Sequence, residues 1–211
     1  MRVLIACDME GISGIVDWKQ VDPDHPEYQL GRRQMTADVN AAVRGAFAGG
    51  ADEVIVSDGH DGKTNLLLAE IDRRVWVNSG TPSPLGMVEG LDLGADGVLF
   101  IGYHARSGAQ AAVLAHTWNS SRVANLWINE RIAGEIGLNA SVCGHFGAPV
   151  LAISGDQTAC AEAVDFVPGI ETAVVKHATA YSAARCLAPA AAVELIEQTA
   201  RRAVARLGEK R

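Results

Sequence analysis

The chain has 211 residues, 48% apolar and 20% charged, the make-up of a globular enzyme long enough to bury a substantial core. Its formal net charge of −7 argues against a nucleic-acid partner, because phosphate binding wants clustered Lys and Arg. No apolar run approaches the ~20 residues of a membrane span and no basic-apolar leader precedes the first strand, so a cytoplasmic protein with no membrane partner is expected.

In chain order, 3–7 is a short apolar run that reads as a buried strand. Residues 28–47 carry Met35, Val39, Ala42, Val43, Ala46 and Phe47 at helical spacing, and Gly49-Gly50 ends that helix. Strands are predicted at 54–56, 75–77 and 98–101, and the loose segment 78–90 (NSGTPSPLGMVEG) suits a pocket wall. Segments 126–128 and 132–134 flank Asn129-Glu130-Arg131 as a tight hairpin. A small-residue helix follows at 137–146, a strand at 150–153, and a helix at 156–164 capped by Asp156. A strand at 172–175 and a helix at 189–207, with Pro189 near its first position, complete the pattern.

This alternation predicts an α/β fold, with a mostly parallel central sheet flanked by helices, in a single domain over residues 1–211. In such sheets ligands bind beyond the carboxyl ends of the strands. Cys7, Cys143, Cys160 and Cys186 form no C-x-x-C pair and read as small buried hydrophobes in a reduced compartment.

Three predicted strand ends carry the chemistry. Asp8 and Glu10 follow the first strand directly, and carboxylates at the end of a buried strand are costly unless they are paired or bind a cation. Two apart on an extended chain, they share one side. Gly11 lets the backbone continue there without a Cβ clash. His60, in SDGHDGKTN, and His104, in IGYHARSG, follow two further strands. Asp58 and Asp61 are rivals as ligands, but the favoured reading is that a neighbouring carboxylate takes the second ring N–H of His60.

Glu135, in RIAGEIGLNA, is a charge in an apolar stretch and needs a partner; a carboxylate at a helix N-terminus is its structural explanation. His116, in AVLAHTWNS, is open to three readings, as ligand, general acid/base or nucleophile, beside that of a satisfied core histidine. Ser13 has no evident base beside it, and His25, His145 and His177 read as surface or packing residues. Three carboxylates and two imidazoles suit Zn²⁺, with Mn²⁺ the next choice and Mg²⁺ disfavoured by the imidazoles.

Six ordered segments together resemble the binuclear zinc D-aminopeptidases, a bacterial family that releases N-terminal D-amino acids from short peptides. They are DMEGISG at 8–14, SDGH at 57–60, MVEGLD at 87–92, GYHAR at 102–106, the histidine of LAHT at 116, and GEIGLNA at 134–140. The resemblance implies two Zn²⁺ per subunit bridged by Asp8, with Glu10, His60, His104 and Glu135 completing the cluster and His116 as the catalytic histidine, which the family assigns as nucleophile. An acid/base or transition-state-stabilising role fits the chemistry equally, because a metal-bound hydroxide is itself a nucleophile. It implies hydrolysis of D-Ala-D-Ala-like peptides or amides by a metal-activated water, in a homodecamer with its active sites on an inner channel.

The family continues beyond the last helix with a segment that has no counterpart after RLGEKR. That departure bears on subunit packing, and on any pocket wall the segment supplies, rather than on the metal residues. Rival readings are another two-metal amidohydrolase or phosphoesterase, and a non-catalytic assembly subunit of the same fold.

Overall fold

A computed structural model describes residues 1–209; Lys210 and Arg211, the end of the RLGEKR run, lie outside the described residues. The strands are β1 (Arg2–Cys7), β2 (Glu53–Asp58), β3 (Trp76–Asn78), β4 (Gly97–Ile101), β5 (Leu126–Ile128), β6 (Arg131–Ala133), β7 (Val150–Asp156), β8 (Glu171–Ala180) and β9 (Ala183–Cys186). The helices are α1 (Tyr28–Ala48), α2 (Glu135–His145), α3 (Gln157–Phe166) and α4 (Pro189–Gly208). Every predicted element is present. The added strand is β9, whose Ala-rich sequence carries no apolar run and which pairs antiparallel with β8.

Seven strands form one sheet in the order β3-β2-β1-β4-β7-β8-β9, parallel except for the last pair. Side chains alternate across it with period two. Val3, Ile5 and Cys7 face one core layer with residues of α1 and α4; Leu4 and Ala6 face the other with residues of α2 and α3. The β5–β6 hairpin stands apart and turns through Asn129 and Glu130, both in the left-handed region, so its loop has two residues rather than three. Asp156 caps α3 as expected, accepting from the Thr158 and Ala159 backbone N–H groups.

The strand order reverses between β1 and β4. The chain runs outward through β2 and β3 on one side and through β7 and β8 on the other. Such a switch point opens a crevice at the carboxyl ends of the strands. Asp8 follows β1, His60 follows β2 and His104 follows β4, so all three reach that crevice.

The segment after β1 lies flat on the end of β4. The Gly11 N–H donates to Gly102 O at 2.7 Å, and a Cβ on Gly11 would fall 1.9 Å from Tyr103 O. The glycine therefore permits a close backbone approach. Gly11→Ala must displace one of the two ligand-bearing loops and is expected to cost at least about 3 kcal/mol. Urea denaturation of the variant measures this.

Two expectations change in detail. Cys7, Cys143 and Cys160 are buried, but Cys186 is exposed because it sits on the antiparallel edge strand β9. Burial pushes the Cys143 and Cys160 thiols up to about 12, so both are neutral packing groups. Ser13 is buried and structural: its N–H and Oγ–H both donate to Asp38, at 2.9 Å each.

Candidate metal centre

Asp8, Glu10, His60, His104, His116 and Glu135 converge on the crevice, and none is more than 9% exposed. The two oxygens of Asp8 face opposite ways. Oδ1 lies 3.4 Å from His60 Nδ1, and Oδ2 lies 3.3 Å from His104 Nε2. Glu10 Oε2 stands 3.2 Å from His60 Nδ1, and Glu135 Oε1 stands 3.4 Å from His104 Nε2. Asp8, Glu10 and His104 offer donor atoms all within 4.8 Å of one another, as do His104, His116 and Glu135.

These separations are long for hydrogen bonds to a charged group. They match the edge of a coordination tetrahedron, about 3.3–3.4 Å for metal–ligand bonds of about 2.0–2.1 Å. Asp8 Oδ2, Glu10 Oε2 and His104 Nε2 are buried without a hydrogen-bond partner. Orphaned polar atoms converging in this way fit a cation.

Each imidazole has its outward nitrogen committed to a backbone carbonyl. His60 Nε2 meets Val21 O at 3.0 Å, His104 Nδ1 meets Ala105 O at 3.0 Å, and His116 Nδ1 meets Leu114 O at 2.8 Å. A carbonyl only accepts, so each of these nitrogens carries a hydrogen, and the other ring nitrogen, facing the carboxylates, is the one that takes either a proton or a metal. Carbonyls thus fill the role expected of Asp58 and Asp61. Asp58 instead accepts from the Asn65 backbone and side chain and from the Leu66 N–H, fixing the loop that presents His60. Asp61 is exposed at the cleft mouth.

Glu135 is the first residue of α2, and its Oε1 accepts from the Trp118 N–H at 2.7 Å. His116 Nε2 stands 3.9 Å from both Glu10 Oε1 and Glu135 Oε1, midway between the carboxylates of the two imidazole sets. Its ring stacks on His104 at 4.0 Å and meets the Trp18 ring edge-on at 5.2 Å. Leu114 and Trp118, on either side of it, are both in the left-handed region; non-glycine strain of this kind clusters at functional sites.

The electrostatics are those of a centre short of positive charge. Burial would lower the His60 and His104 pKa values, yet the surrounding carboxylates raise both well above the ordinary imidazole value. Burial would raise Glu10 and Glu135, yet the histidines bring both down. Asp8 goes up through burial and the neighbouring Glu10 charge. In the metal-free cluster protons supply the positive charge that a cation would otherwise bring.

The chain matches the model of the D-aminopeptidase peptidase family over residues 1–211. It belongs to the D-aminopeptidase family. A D-aminopeptidase of Bacillus subtilis (strain 168) is 41% identical over 201 residues, covering 95% of this chain and 73% of that protein. The solved structure of a Zn-dependent D-aminopeptidase from Bacillus subtilis, described as a self-compartmentalizing protease, superposes with a TM-score of 0.95 at 38% identity. It covers 98% of this chain and 74% of the relative. The chain therefore spans about three quarters of the length of these two D-aminopeptidases.

The cleft above this carboxylate and imidazole cluster has a volume of about 530 Å³. Trp18, Asp22, Asp61, Lys63, Met87 and Trp118 line it, so the 78–90 segment does reach the pocket, through Gly86 and Met87. His25, His145 and His177 take no part in it. Sequence reasoning overlooked Lys176. This lysine, in the run TAVVKHA, is fully buried, and its ammonium donates to Glu10 O, Ile12 O and Ile15 O at 2.6, 2.9 and 2.6 Å. Burial pushes it down to about 8, still charged at neutral pH. A lone lysine inside an apolar strand was the available signal.

Proposed function

We propose that the chain is a two-zinc D-aminopeptidase acting on short peptides such as D-Ala-D-Ala, with residues 1–211 as one metallopeptidase domain. The observation that carries this reading is Asp8, whose two oxygens are divided between His60 and His104. Asp8, Glu10, His60, His104 and Glu135 would hold the ions, with Asp8 shared between the His60 and His104 sides of the cluster. When bound, zinc supplies Lewis-acid polarisation of the scissile carbonyl and lowers the pKa of water towards neutrality.

The residues divide the remaining work. His116, held by Leu114 O in the tautomer with a free Nε2, takes a proton from the attacking water and returns it to the leaving amine. Asp22 and Asp61 at the mouth favour a substrate's ammonium terminus. A cleft of about 530 Å³ admits a short peptide and not a folded chain. The large apolar side chains Trp76 and Trp127, 75% and 61% exposed, support assembly into a homo-oligomer, a decamer on the family pattern. Sedimentation velocity tests that.

The assay compares D-alanyl and L-alanyl dipeptides with a phosphate monoester. Release of D-alanine with about two zincs per chain is the expected result; phosphate release alone makes the chain a phosphoesterase. Less than one tightly held metal per chain makes it a non-catalytic assembly subunit.

Metal removal gives a pH signature. The raised His60 and His104 stabilise the metal-free fold below the ordinary imidazole pKa, and this contribution fades as pH rises through their folded values. Zinc needs those imidazoles neutral, so its stabilisation grows over the same interval. The Tm difference between loaded and metal-free protein is expected to widen as pH rises above the ordinary imidazole pKa, as read by calorimetry.

A further inference from the structure

We propose that Lys176 is a positioning residue for the metal centre, holding the segment that carries Glu10 at the height and angle the ligand set needs. This rests on the two-zinc reading of the site. Lys176 projects from β8, and the strand order puts β4 and β7 between β8 and β1. Its ammonium therefore meets the post-β1 segment where that segment crosses the ends of those two strands. Close backbone packing makes the crossing possible: Cβ atoms on Gly11 and Gly155 would lie 1.9 and 2.4 Å from the same Tyr103 O.

The stoichiometry of the contact is complete. An ammonium has three N–H donors, and three carbonyls, those of Glu10, Ile12 and Ile15, converge on it. The segment is an irregular turn: Ile12 O also accepts from the Ile15 N–H at 3.2 Å, but the Glu10 and Ile15 carbonyls have Lys176 as their donor. The segment is also tied from its other side, where Asp38 on α1 takes the N–H and hydroxyl of Ser13.

A buried cation next to a cation-binding centre is a poor choice if filling space is the only need. Desolvating it is costly, and its charge opposes that of the metal. What it supplies is a rigid three-point anchor whose first point is the backbone of a candidate ligand. Ligand placement within about 0.5 Å is what metal centres demand of their supporting groups. Removing such outer partners characteristically weakens metal binding by about 10–100-fold.

The test uses zinc itself, in competition with a chromophoric chelator, on wild type, Lys176→Met, Lys176→Gln and Ile196→Ala. Ile196 is buried on α4 in the core layer shared with α1, so its variant reports what general loss of stability does to zinc binding. Lys176→Met is expected to weaken one of the two zincs by about 10–100-fold. Lys176→Gln, which keeps two donors, should weaken it less, and Ile196→Ala should bind as wild type does.

Equal zinc affinity in the folded Lys176 variants and wild type overturns the proposal. So does an equal loss in Ile196→Ala. If Lys176→Met does not fold, Lys176→Gln carries the test. Failure of that variant to fold also overturns the proposal, because Lys176 then serves the fold rather than the centre. Absence of tight zinc from the wild type would refute the metal reading itself, a result distinct from all of these.

Discussion

Replacing His116 with alanine is expected to lower kcat for a D-alanyl dipeptide by about 10²–10⁴-fold while the zinc content stays at the wild-type level. The magnitude is that of losing a positioned general acid/base. The geometry favours this role because Nδ1–H is held by Leu114 O at 2.8 Å, leaving Nε2 directed at the space between Glu10 and Glu135. At 3.9 Å from each carboxylate, Nε2 makes no hydrogen bond with them and has room for one reacting atom. A fall in kcat with KM little changed would mark an interaction made mainly in the transition state. Full activity would remove His116 from the mechanism, and loss of zinc would make it a ligand.

His104→Ala is expected to reduce bound zinc from about two per chain to about one or fewer, with kcat/KM down by at least about 10³-fold. His104 Nε2 is the nitrogen that faces both Asp8 Oδ2 and Glu135 Oε1, so its loss takes one partner from each of two buried carboxylates. An uncompensated buried charge typically costs about 3–5 kcal/mol, and the metal-free variant should lose stability on that scale. The same substitution removes the ring on which His116 stacks at 4.0 Å. Metal analysis and chemical denaturation read the two effects separately. Retention of two zincs would exclude His104 from the ligand set.

Much of the architecture is legible in the chain because apolar runs and turn residues are local signals. The helix of residues 28–47 shows its 3.6-residue spacing, and Asp156 announces the start of α3 as its cap. β9 was not legible, since a short Ala-rich edge strand buries too little to leave a pattern. Cys186 was misread for the same reason: which cysteine is covered depends on the strand next to it.

The site divides along the same line. Asp8, Glu10, His60, His104, His116 and Glu135 could be singled out because a carboxylate or imidazole at the end of a buried strand, or in an apolar stretch, needs an explanation wherever it occurs. The sequence by itself thus determined the strand–helix alternation and the cast of polar side chains. Only the tertiary structure decided which atoms face which. The strand order puts β2 and β4 on either side of β1, which turns three separate strand ends into one crevice and splits the oxygens of Asp8 between two imidazoles. It also carries Lys176 across two strands to the Glu10 backbone. Such contacts join residues from 52 to 166 positions apart, and local sequence pattern holds no record of strand order, tautomer or carbonyl direction.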